Sequence, residues 1–226
     1  MPIPAALLLL AAALAPAPAQ APAGVPTATL EAMRRDFPAE HSALSASLAG
    51  KTPGEARRLA YAGIAKVLAD RVEAILAAPG PALIALEARQ GAMLRALGRQ
   101  DVGLCATVGD RGFFSPEALA GAAPPGLDEY GAALIEAARA GAASTAVPAS
   151  ASREDFTAWL EQVRKIVPDV PVQAMLTDRE LRRASSFDHL CRGSAAMHEA
   201  AAALGGETGE RVARTLLRSV IAVRRN

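Results

Sequence analysis

Aromatic side chains are scarce in this sequence of 226 residues: Phe, Tyr and Trp make up 4% of it. Together with few β-branched residues, this leaves little of what favours strands. Lysine occurs only at Lys51, Lys66 and Lys165, so the rest of the 24 basic residues are Arg. An excess of either charge is also missing, since 23 acidic residues leave a net charge of +1. No global field exists to draw in a polyanion, and a nucleic-acid partner is not expected.

Cysteine is limited to Cys105 and Cys191. Neither C-x-x-C nor C-x-x-C-H occurs, so a zinc ribbon, a thioredoxin-like pair and covalent haem lack their signatures. G-x-S-x-G and the P-loop are absent, and the glycines at 98, 103, 109 and 112 do not fit the dinucleotide fingerprint. His198-Glu199 resembles the start of a zinc-protease helix, but Ala fills the positions where the second His would stand. The sequence therefore names no catalytic, cofactor-binding or metal-ligating residue, and no cofactor.

What is present is an apolar content of 51%, mostly Ala, Leu and Val. Ala and Leu are strong helix formers. The expected fold is all-α, a single bundle of about six to eight helices. Residues 1–19 read as a signal peptide, with an apolar run from Ile3 to Leu14 and the small-x-small pattern Ala17-Pro18-Ala19. That run is shorter than the roughly 20 residues a spanning helix needs, so the mature chain is expected to have no transmembrane segment. Cleavage near Ala19 would leave residues 20–27 as a flexible, Pro/Ala-rich linker and 28–226 as the helical domain, periplasmic or secreted. For an exported chain with two cysteines, a Cys105–Cys191 disulfide is the simplest expectation.

The helical pattern starts near Thr29 and is interrupted at Asp36-Phe37-Pro38, because proline disfavours helix at the residue before it. Thr52-Pro53-Gly54-Glu55 reads as a capping box opening a helix with Tyr61, Ile64, Leu68, Val72 and Ile75 on one face. Leu83, Leu86, Met93 and Leu97 mark the next helix, with Gly98 as its end. Residues 98–115 read as a Gly-rich loop that must still bury Phe113 and Phe114. A short helix is expected from Ser115-Pro116-Glu117, then one carrying Leu127, Tyr130 and Leu134. Ser152 caps a helix carrying Phe156, Trp159, Leu160, Val163 and Val167. The longest helix is expected over Thr177–Leu204, as a central post holding the loop through the disulfide. A final helix from about Glu207 would bury Val212, Leu216, Val220 and Val223.

Two features bear on function. His198 shares a helix face with Cys191 and is the only lead toward chemistry; a lone histidine of this kind is more often part of a core. An enzyme would assemble its site across helices around His198, with Asp188 and Arg192 as the nearest polar residues. Arg211, Arg214, Arg218 and Arg225 form a basic stripe opposite the apolar face of the last helix, and Arg182-Arg183 could extend it. Such a stripe suits an envelope protein, an anionic lipid or an anionic polymer, although basic residues near a helix C-terminus also simply complement the dipole. The favoured expectation is a non-catalytic binding or scaffolding module of the cell envelope. A small-molecule or cofactor binder with an interhelical cavity is the first alternative, and an enzyme around His198 the second.

Overall fold

A computed structural model describes residues 24–115, 119, 123–144 and 149–222, with side chains up to residue 218. Among these residues there are twelve helices and no strand. The fold is all-α as expected, but the count exceeds six to eight. The expected signal peptide, half of the linker (residues 20–23), Pro116-Glu117 and Arg225 lie outside the described residues, as do the side chains of Val220 and Val223.

Helices α1 (Thr27–Asp36) and α2 (Pro38–Leu48) flank the predicted break at Phe37. The first turn of α1 has no cap of its own. Asp128, in the first turn of α7 (Leu127–Ala142), instead accepts from the backbone N–H groups of Ala28 and Thr29, each at 2.8 Å. These are donors that a helix start leaves without intrahelical partners. Helix α3 (Pro53–Asp70) opens with the expected Thr52/Glu55 capping box and buries Tyr61, Ile64 and Leu68. The apolar stripe then crosses a break at Arg71 into α4 (Val72–Leu76), so the expected single helix is two.

Two corrections concern glycine. Helix α5 (Gly80–Gln100) runs through Gly98, and most of the expected Gly-rich loop is helix α6 (Val102–Arg111). Asp101 caps α6 by accepting from the Leu104 N–H at 2.8 Å. A Cβ on Gly109 would stand 2.4 Å from Ser194 Oγ, and one on Gly98 would stand 2.6 Å from Cys191 Sγ. These glycines thus allow close helix approach. The turn comes only at Gly112, where φ is +83°. Phe113 and Phe114 are buried, as their position required.

Gly141 shows the same use of glycine at the crossing of α7 over α4. A Cβ there would stand 1.8 Å from the Ala74 carbonyl oxygen and 2.7 Å from the Ala78 nitrogen. Both are backbone atoms and cannot rotate away. Gly141→Ala is expected to cost about 1–3 kcal/mol or more through overpacking. The thermal midpoint should fall by about 5–10 °C. A melt followed by circular dichroism tests this, and an unchanged midpoint would show that the two helices do not cross this closely.

The expected long helix is broken in two at Ser185-Ser186. Helix α8 (Arg153–Ile166), with Ser152 and Asp155 as its capping box, is followed by α9 (Val172–Thr177), α10 (Arg179–Ala184) and α11 (Phe187–Leu204). Asp178 accepts from the Glu180 and Leu181 N–H groups, and Ser186 accepts from that of His189. Asp178 thus starts a helix one residue from the expected start at Thr177, while Ser186 starts a new one where continuity was expected. Helix α12 (Gly206–Ala222) closes the chain.

Helix α11 is still the central post, packing against α5, α6, α8 and α12. One apolar cluster draws on α1 to α7 and includes Cys191 and Ala195 of α11. A second joins Trp159 and Val163 of α8, Val172 and Met175 of α9, Ala196 and Ala200 of α11 and Val212 of α12. The disulfide joins Cys105 of α6 to Cys191 of α11, 86 residues apart, and both sulfurs are buried. The bridge pins a helix to the post, where a loop was expected. No described helix is long and apolar enough to cross a membrane.

Candidate functional site: an arginine-lined groove

The basic stripe of α12 is largely engaged within the protein. Arg211 forks onto Asp155 in the first turn of α8, with Nε to Oδ2 and Nη2 to Oδ1 both at 2.8 Å. Asp155 also accepts from the Ser152 N–H, and these partners hold its carboxyl well below the usual range, the Arg211 contact being the largest cause. Arg214 is buried; it donates to the Leu76 carbonyl at 2.6 Å and pairs with Glu210 at 2.7 Å. It thus satisfies a carbonyl at the end of α4. Arg218 is exposed and lies 3.8 Å from Glu73.

His198 and Glu87 form the second constellation. His198 is 5% exposed and Glu87 is fully enclosed. His198 Nδ1 lies 2.6 Å from Glu87 Oε2, joining α11 to α5. Glu87 Oε1 is buried without a hydrogen-bond partner. Burial pushes the Glu87 carboxyl up, against the opposing pull of His198. One turn away Gln90 accepts from the Tyr130 hydroxyl at 2.9 Å, so a polar seam runs across α11, α5 and α7. Asp188 and Arg192 do not join it. Arg192 forks onto Asp169 at 2.8 and 2.6 Å and touches Asp188 at 3.2 Å, on the exposed side of α11. The three polar residues considered around His198 are therefore not brought together. Among the described residues no group of three or more His, Cys, Asp or Glu is placed to hold a metal ion.

The third constellation was signalled in the sequence only by Arg182 and Arg183. A groove of about 900 Å³ lies over α6 and the α10–α11 junction. Ala106, Thr107, Asp110 and Arg111 of α6 form one wall. Arg179, Arg182 and Arg183 come from α10, and Phe187 and Leu190 from the start of α11. Spacings of three and four residues place the three α10 arginines on one helix side. That side faces α6, where Arg182 pairs with Asp110. Arg183 also pairs with Glu180 on its own helix, at 3.0 Å. The break at Ser185-Ser186 separates α10 from α11 beside the groove. No residue of α10 is buried, and Phe187 is 61% exposed.

Compared with protein-family models, with curated proteins and with solved structures, the chain finds no match.

Proposed function

We propose that the chain is an exported, non-catalytic helical binding module, and that the groove over α6 and α10 is its contact with an anionic partner. The observation that carries this reading is charge. Four arginines line the groove and Asp110 is its one lining carboxylate, in a chain whose net charge is only +1; Asp110 pairs with Arg182, and Glu180 beside the groove pairs with Arg183. Arginine suits the task because its planar fork matches carboxylate and phosphate geometry. The buried disulfide supports export, since such bridges persist in oxidising compartments. The non-catalytic part rests on the burial of His198, which does not line the groove and pairs with the enclosed Glu87.

The anionic contact thereby moves from α12 to α10. Arg211 and Arg214 are held by internal partners, and replacing them would damage the fold before it tested binding. The test is the triple variant R179A/R182A/R183A, titrated with a panel of anions: fluorescent poly-glutamate, phosphatidylglycerol vesicles and a long-chain carboxylate. Binding to at least one of these should weaken about tenfold or more, with its salt dependence reduced. Arg218→Ala should leave that binding unchanged. If no anion in the panel distinguishes the triple variant from the parent protein, the groove is not the contact.

A further inference from the structure

We infer that the groove takes a single-chain anionic amphiphile, with its acidic head against the α10 arginines and its alkyl chain over Phe187, Leu190 and Leu176. This rests on the reading of the groove as an anion site and specifies the ligand. A site for inorganic phosphate or an acidic peptide needs cationic walls and little else. Here the cationic wall runs directly into exposed apolar surface. Phe187, 61% exposed, and Leu176, 49% exposed, are the two most exposed large hydrophobic side chains described. A smaller cleft lined by Val172, Met175, Leu176 and Met197 continues from the groove and shares Ala106, Asp110, Arg182 and Leu190 with it.

One path therefore leads from arginine to thioether and aliphatic side chains. Methionine is unbranched and polarisable, and it adapts to chains of varied shape. The groove volume of about 900 Å³ falls within the range of small-molecule pockets, about 300–1,000 Å³. It is concave, whereas a flat patch would suit a membrane surface better. Helix α10 buries none of its side chains, and its ties include the Asp178 cap and the Arg182–Asp110 pair. It can shift to admit a chain without opening either apolar core. An incoming carboxylate or phosphate would compete with Asp110 for Arg182, exchanging one charge-assisted contact for another.

The experiment uses the full chain, extracted to remove any bound lipid. It is titrated calorimetrically with dodecanoate and dodecyl phosphate below their micelle concentrations, and with dodecyl maltoside, inorganic phosphate and poly-glutamate. The parent protein should bind one dodecanoate or dodecyl phosphate per chain, about a hundredfold more tightly than inorganic phosphate. F187S and L176S should each weaken this about tenfold, as should R179A/R182A, with thermal midpoints unchanged because these side chains are exposed. The inference is overturned if poly-glutamate or inorganic phosphate binds as tightly as dodecanoate and F187S has no effect; the anion-site reading then stands alone. It is also overturned if dodecyl maltoside binds equally well and ignores the arginines, or if only anionic vesicles bind. Absence of binding by every anion removes both readings.

Discussion

His198→Ala is expected to destabilise the protein by about 3–5 kcal/mol, because it leaves the enclosed Glu87 carboxyl without its partner. Oε1 already lacks a hydrogen bond, so Oε2 depends on the 2.6 Å contact to His198 Nδ1. A buried carboxylate without a partner is far costlier than an apolar side chain of similar size. The companion variant Glu87→Gln should be milder, since an amide can still bond the imidazole and carries no charge. Its pH dependence follows from the raised position of the Glu87 carboxyl. Unfolded, such a group titrates near 4.3. With the folded value higher, its contribution to stability is fully present below about 4.3 and is lost as pH rises through the folded value. Glu87→Gln should therefore gain on the parent protein as pH rises from 5 toward 8. Urea unfolding of the parent, Glu87→Gln and His198→Ala at both pH values measures this. A His198→Ala protein as stable as the parent would place the pair in water.

The sequence marked His198 as a lead but could not supply Glu87, which is 111 positions away on another helix. Read locally, Glu87 is an ordinary surface-type residue; only the packing of α5 against α11 encloses it. Apolar spacing was far more legible. Tyr61, Ile64, Leu68, Val72 and Ile75 are all buried, as are Leu83, Leu86, Met93 and Leu97. The helix start at Thr52 and the disulfide were also legible, the first from local hydrogen-bonding chemistry and the second from the number of cysteines and expected export.

Glycine and the short polar residues were harder to read. Gly98 and Gly109 resemble breakers in sequence, yet they lie inside helices where the bridge and Ser194 press close. A helix-weakening residue is retained when a neighbour occupies the space of its missing Cβ. Conversely, Ser186 looks tolerable within a helix, yet it caps a new one. The groove lies at that break, which is why its arginines carried so little signal in sequence. The α12 stripe was visible as a pattern, but its partners Asp155, Leu76 and Glu73 are contributed by other elements.

Removing the disulfide should lower stability by about 2–5 kcal/mol, comparable to the loss at His198. The bridge closes 86 residues of chain, and in the chain-entropy picture a loop of that size restricts the unfolded ensemble by roughly 4–5 kcal/mol. Native contacts should recover none of this in C105S/C191S, because the sulfurs sit in the core between α5, α6 and α11. The thermal midpoint should drop by about 5–15 °C. Burial also means that the folded protein should resist reductant, with thiols becoming alkylatable only as it opens. Mass measurement after alkylation, with and without denaturant, reads this directly; two thiols modified in the native protein without reductant would exclude the bridge. The consequence for binding is local. Helix α6 supplies Thr107, Asp110 and Arg111 to the groove, while α11 supplies Phe187 and Leu190, and the bridge fastens one wall to the other. The double variant should therefore lose anion affinity at temperatures where it remains folded, and unchanged affinity there would show that packing alone holds the groove in shape.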